Sequence, residues 1–371
     1  MIGIDKYRGC LIGGAVGDAL GYAVEFYSVE QIFKKYGEKG ISEYELSHGI
    51  AQISDDTQMT LFTANGLLYG TTRGMMRGIM ARYPDYISHC YLDWLKTQTQ
   101  NYSDTFEGLC SWLINVPEMY NSRAPGNTCL SAVEQGANGT IEKPINNSKG
   151  CGGIMRVAPI GLYFTGERCS QDKIDMIGAE TAALTHGHEL GYIPAAAFVH
   201  IIHLLSHNED ITVLSAVQDS LSSMQTLFQN TKHIDDFLSL MNRAVELASS
   251  NIDDLEAIQE LGEGWVAEET LAIAVYCTLK YAEDFEKAII AAVNHSGDSD
   301  STGAVTGNII GAHLGYDSIP KKYIENLEFH DIIIEFSDDL YNDCKISEYG
   351  EYQDEVWEQK YIYIDYMKNK K

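Results

Sequence analysis

Two short stretches of this chain concentrate oxygen ligands. One reads Asp298-Ser299-Asp300-Ser301-Thr302-Gly303, in which carboxylates alternate with hydroxyls. Such alternation puts several oxygens within reach of one hard cation, as Mg²⁺ or Ca²⁺ requires. An EF-hand calcium loop starting at Asp298 would need a glutamate at its twelfth position, where this chain has Ile309, so that shell cannot close. Any ion held here needs carboxylates from elsewhere in the chain. Ser54-Asp55-Asp56-Thr57 offers them, and it too leads into an apolar, helix-like run over 59–68. Either cluster alone also reads as a helix N-cap with acids at the positive end of the dipole. Taken together they suit one shared site, and two acid clusters suit a pair of ions about 4 Å apart, as in hydrolases.

The elements around these clusters carry a spacing of their own. Glycines fall at 9, 13, 17 and 21, and again at 303, 307, 311 and 315, one helical turn apart. A glycine inside a helix costs about 1 kcal/mol relative to alanine, so each ladder is expensive unless close packing offsets it. The spacing therefore predicts two buried helices lying against neighbours; packed on each other, they would bring Asp18 and Glu25 towards Asp298 and Asp300. Loop glycines are the other reading.

Residues 59–116 read as helical, with breaks expected around Gly70 and Pro84. Residues 119–153 turn irregular, and a long glycine-rich loop in an otherwise helical chain is usually functional. Its second half, ending in Met155-Arg156-Val157-Ala158-Pro159, has the composition to hold a diphosphate on backbone N–H groups, without matching the Walker or dinucleotide patterns. Thr185-His186-Gly187-His188 opens a helix through about Leu205; histidines two apart face different sides, so one in a site and one at the surface is the sensible split. Residues 207–260 read as a polar helical insert, amphipathic over 234–248, and a helix is expected from about His330 to Leu340, before an acidic, tyrosine-rich extension from about 341. No alternating strand pattern persists. The expectation is an all-α chain forming a single domain over 1–371.

The 371 residues carry 26 basic and 53 acidic side chains, a net charge of −27. That surface repels nucleic acid and anionic membranes, so neither is an expected partner. Eight cysteines are scattered without a C-x-x-C pair or zinc-like spacing, which fits reduced thiols in the cytoplasm. Lys6 and Arg8 before an apolar run imitate a signal peptide, but Asp18 interrupts it. No segment reads as long and apolar enough to span a bilayer.

Collected in order, GCLIGGAVGDALGYAVEF at 9–26, SDDTQMT at 54–60, GNTC at 126–129, SKGCGGIMRVAP at 148–159, TH at 185–186 and GDSDSTGAVTGNIIGA at 297–312 make the sequence resemble the ADP-ribosylglycohydrolase family. The resemblance implies a compact bundle of orthogonal helices with two Mg²⁺ ions, Mn²⁺ in some members, at the bottom of a cleft. It carries the family's metal ligands onto Ser54, Asp55, Asp56, Asp298, Asp300 and Ser301, the last more often Thr in the family. The family's glutamate after the first glycine motif falls on Glu25. Its diphosphate loop falls on Ser148, Gly150, Cys151 and Gly152, with Lys149 and Cys151 where smaller or amide residues are common. Its cleft histidine falls on His186 rather than His188.

The implied reaction is cleavage of the glycosidic bond between ADP-ribose and a modified protein side chain, arginine first, through an oxocarbenium-like state. Glu25 is the candidate for proton transfer and Asp55 its rival. Other ADP-ribose or nucleotide derivatives are the alternative substrates. Family-like folds also serve as binding proteins where catalysis has been lost, including lens structural proteins. A further alternative is an immunity protein against an ADP-ribosylating toxin, with 207–260 or the acidic tail as contact surface.

Overall fold

Small side chains repeating every fourth position leave a groove along a helix into which another backbone can fit. In the computed structural model, which describes residues 3–105, 108, 110–166, 169–347 and 352–369, the two glycine ladders fill one another's grooves. The N-terminal helix Ile4–Tyr22 and the late helix Ser299–Leu314 run antiparallel at the centre of the protein. Their rungs pair Gly9 with Gly311, Gly13 with Gly307 and Gly17 with Gly303, so that a Cβ on either member of a pair would overlap the partner's carbonyl. Gly21 meets the backbone of Ser299 instead. The eighth glycine differs from its expected role: Gly315 lies just past the helix as its C-cap, at φ +84°, a left-handed conformation that favours glycine.

Among the described residues sixteen further α-helices and four short 3₁₀ turns surround this pair, and there is no strand. The fold is all-α, as the sequence predicts. The helix Asp55–Arg77 starts at Ser54, whose Oγ accepts from Asp56 N at 3.1 Å. It runs unbroken through Gly70 to Gly78, contrary to the expected break. Gly66 and Gly70 are there for packing: a Cβ on either would press on Ile87 or Tyr86 of the neighbouring helix Tyr83–Thr99. Pro84 sits in that helix's first turn, where a missing N–H costs nothing. The helical expectation also fails over the described residues of 100–116, where the α-helix has ended at Thr99 and only the 3₁₀ turn Trp112–Asn115 is helical. The buried Asp93 carboxylate accepts from the backbone N–H groups of Cys110 and Ser111, which draws that segment out of a helix.

Residues 207–260 form three helices, Val213–Leu227, Ile234–Ala248 and Asp254–Leu261. Their apolar faces bury Leu221, Phe237 and Met241 in the same continuous core that holds the glycine helices. The C-terminal extension also docks back: Trp357 Nε1 donates to Thr72 Oγ1, and Lys360 pairs with Glu335 and Asp339. Residues 348–351 of it lie outside the described ones. One helix, Glu189–His207, is long and apolar enough to cross a membrane by length and composition, contrary to the expectation that no segment is. Within the protein 89% of that stretch is buried, so its apolar character serves the core.

Candidate active site

Antiparallel packing of the ladders places the end of one helix beside the start of the other. Glu25 follows the first helix in a turn, and Asp298 caps the second by accepting from Ser301 N at 3.3 Å. The helix Asp55–Arg77 points its own acidic start at the same place. Asp18 makes that junction: its carboxylate accepts from Ser54 N at 2.9 Å and from Thr57 N at 3.1 Å. Ser301 Oγ then donates to Asp56 at 2.9 Å, which closes the two acid clusters on each other.

Six carboxylates, Asp18, Glu25, Asp55, Asp56, Asp298 and Asp300, are thereby buried together. Among the described residues none of them forms an ion pair. One oxygen each from Glu25, Asp298 and Asp300 lies within 4.8 Å of the others. Burial pushes Glu25 up to about 10, with the charges of Asp300, Asp298, Asp55 and Asp18 adding. Burial, then Asp300, pushes Asp18 up to about 7 against the hydrogen bonds from Thr57 and Ser54. Asp55, Asp56 and Asp298 are held well above the usual carboxylate range for the same two reasons.

Such a cluster is unfavourable by itself, since buried anions repel and have lost their water. Divalent cations fit it on three counts: the donors are all hard oxygens, they converge, and Glu25 Oε2 is buried without a hydrogen-bond partner among the described residues.

The acids form one wall of a cavity of about 210 Å³. Ten residues singled out in the sequence line it: Glu25, Asp55, Asp56, Gly150, Cys151, Gly152, His186, Asp298, Asp300 and Ser301. Ser54 and Ser148 stand behind the wall. Ser54 Oγ is used in capping Asp56, and Ser148 Oγ accepts from Gly150 N at 3.3 Å, which orients the loop.

The opposite wall is the glycine loop with His186. Cys151, its thiol pushed up by burial and the charges of Asp298 and Asp56, donates to Asp298 at 2.7 Å and so joins the two walls. Lys149 is committed elsewhere, in an ion pair with the buried Glu268. Burial, then the charge of Arg156, lowers His186 to about 3, so its ring is neutral. Arg156 donates to Thr185 Oγ1 at 2.6 Å, and Thr185 Oγ1 lies 2.8 Å from His186 Nδ1. When Thr185 Oγ1 donates to Nδ1, His186 carries its proton on Nε2, which lies beside Gly150 and Gly152. His188 instead caps the helix Glu189–His207 through Nδ1.

Sequence reading brought Asp18 towards Asp298 and Asp300 but missed its bonds to Ser54 and Thr57, which reach across helices, and it gave Trp265 no role in the site. Trp265 lines the cavity and stacks on Phe26, both partly or largely exposed; the only signals were an aromatic residue after Glu25 and one inside a glycine turn.

With this geometry in view, comparison with known proteins is decisive. A sequence model of the ADP-ribosylglycohydrolase family matches residues 2–349. The chain belongs to that family. Among relatives, ADP-ribosylhydrolase ARH3 of Danio rerio is 27% identical, with 85% of each chain covered. ADP-ribosyl-[dinitrogen reductase] glycohydrolase of Rhodospirillum rubrum is 23% identical, covering 87% of this chain and 90% of its own. A solved ADP-ribosylglycohydrolase-related protein complex shares the fold, at a TM-score of 0.61 and 22% identity, over 91% of this chain and 98% of its own. As an ADP-ribosylglycohydrolase the protein is a glycosyl hydrolase of ADP-ribose linkages, and ADP-ribosylated substrates are its partners.

Proposed function

We propose that the protein is a Mg²⁺-dependent hydrolase that removes ADP-ribose from modified protein side chains, arginine first. The observation that carries this reading is the convergence of six buried carboxylates, without a paired cation among the described residues, opposite a glycine loop in one cavity. Asp55, Asp56, Asp298, Asp300 and the Ser301 hydroxyl would hold two ions, Mg²⁺ or Mn²⁺, with Ser54 fixing Asp56 from behind. Bound there, the cations supply positive charge that orients ribose hydroxyls and makes water more acidic.

The rest of the chemistry belongs to the chain. In the reaction the bond from ribose C1 to the side-chain nitrogen breaks, the oxygen of water bonds to C1, and a water proton ends on the departing nitrogen. Glu25 is the carboxylate with an unpartnered oxygen, and that makes it our candidate to carry this proton, with Asp55 as the alternative. Backbone N–H groups at Gly150, Cys151 and Gly152, together with His186 Nε2–H, offer neutral donors to the diphosphate. The continuous core supports reading 1–371 as one domain, with a helical insert at about 207–260 and an acidic extension from about 341.

The test is release of ADP-ribose from protein ADP-ribosylated on arginine. Release in Mg²⁺, its loss in EDTA and its return with Mg²⁺ or Mn²⁺ are expected. Hydrolysis of serine-linked or nucleotide esters in preference to the arginine conjugate would shift the substrate assignment, and activity unchanged by EDTA would remove the metal reading.

A further inference from the structure

Large aromatic side chains left in water expose apolar surface that most folds bury, so a stacked pair at a cavity mouth calls for a ligand. Phe26 is 71% exposed and Trp265 40% exposed, with ring centroids 6.3 Å apart and planes 21° from parallel. Trp265 lines the acid-walled cavity, and Phe26 directly follows Glu25, which lines it too.

The Trp265 member of the pair is held on both sides. Gly262 and Gly264, at φ +129° and +81°, turn the chain ahead of Trp265. Glu269 accepts from the N–H groups of Glu263 and Gly264 at 3.0 and 3.2 Å, and Thr270 Oγ1 donates to Gly264 O at 2.7 Å. On the other side Cys151 N donates to Trp265 O at 3.2 Å and Ala267 N to Lys149 O at 2.9 Å. Trp265 is thus pinned to the glycine loop, and little ordering remains to oppose binding.

We propose that Phe26 and Trp265 form the surface that receives the departing side chain, and that it selects a planar cation, a guanidinium. This rests on the assignment of the reacting ribose to the carboxylates. The bond that breaks is at that ribose, so the leaving group emerges beside Glu25 and meets the aromatic ring next to it. The adenine is separated from that carbon by two riboses and two phosphates, so it belongs to the opposite end of the ligand. A guanidinium stacks on aromatic faces and is drawn by the surrounding carboxylates, whereas a neutral serine leaving group gains neither contribution.

Phe26→Leu, which keeps bulk but removes the π face, and Trp265→Phe, which keeps an aromatic face, test this on three ligands: an ADP-ribosylarginine peptide, an ADP-ribosylserine peptide and free ADP-ribose. Affinity is read as KM where a conjugate turns over and as an equilibrium Kd where it does not, so that an inactive wild type would remove the proposed reaction and still report on this surface. Phe26→Leu is expected to weaken the arginine conjugate about three- to thirty-fold. It should leave ADP-ribose and the serine conjugate within about two-fold, and Trp265→Phe should weaken the arginine conjugate less than Phe26→Leu does. Equal weakening of free ADP-ribose would assign the pair to adenine and overturn the proposal, as would an unchanged arginine conjugate in Phe26→Leu. Circular dichroism and thermal melting of Phe26→Leu that match wild type exclude misfolding as the cause of a loss.

Discussion

Ser301 Oγ donates a 2.9 Å hydrogen bond to the carboxylate of Asp56, a residue 245 positions away in the sequence. That one bond joins the starts of two helices whose acids have no local reason to approach, and every prediction about the site depends on it.

Asp300→Asn removes one charge from the cluster at nearly constant shape. Hydrolysis should fall by at least about a hundred-fold, as when a developing charge loses a preorganised partner. Melting in EDTA should stay level or rise, because the remaining acids repel less. Melting temperatures with and without Mg²⁺ check this: a variant that melts lower in EDTA yet gains as much from Mg²⁺ as wild type would refute it.

The acids also set the pH dependence of the metal-free protein. Asp18 and Glu25 are raised in the folded state to about 7 and about 10, so the folded protein binds more protons than the unfolded chain from about pH 4 upward. Their contribution is fully present below the unfolded values and is lost as pH rises through 7 and towards 10. In EDTA the melting temperature should therefore fall between pH 5 and 8. With Mg²⁺ at about a hundred times its Kd the folded state gains about 2.7 kcal/mol per site, and the fall should flatten. Thermal scans across pH with and without Mg²⁺ measure both.

Gly13→Ala tests the central packing. Helix propensity alone would favour alanine by about 1 kcal/mol. The new Cβ, however, would overlap the carbonyl oxygen of Gly307, part of a backbone held by its own helix. Overpacking of this kind costs about 1–3 kcal/mol or more, so a net loss in urea denaturation is expected, with reduced hydrolysis as Asp18 and Asp300 separate. A more stable variant would contradict the pairing.

Away from the site, His200 is buried between two carboxylates, Nδ1 2.8 Å from Asp175 and Nε2 2.9 Å from Asp219. Burial alone would lower it, yet the two hydrogen-bonded acids outweigh burial and raise it. Both nitrogens then carry protons, and the imidazolium ties the helix Val213–Leu227 to Gln171–Ala183. Its stabilisation is present below the unfolded pKa of about 6.5 and is lost as pH rises through the folded value. His200→Gln should cost about 3 kcal/mol by removing the cation beside the buried Asp175, which keeps, among the described residues, only the neutral donors Gln171 and Ser223. Nitrogen chemical shifts of a neutral ring at pH 6.5 would count against it.

Residue types and their local spacing can be read directly along the chain. Glycines four apart, acids alternating with hydroxyls, and a glycine-rich loop before an apolar run are all properties of neighbours along the chain. They were enough for an all-helical fold, and the motifs they form carried the resemblance that picked out ten residues lining the cavity. Only the tertiary structure decided what faces what. A periodic stripe says that a helix has a small face, but the rung-by-rung pairing of Gly9, Gly13 and Gly17 with Gly311, Gly307 and Gly303 is a contact between chain ends. The same holds for Asp18, whose partners Ser54 and Thr57 lie on another helix, and for Phe26 on Trp265. Gly70 was misread for that reason too. Local propensity marks it as a break, while the nearby Tyr86 ring, supplied by a different helix, makes it a packing position.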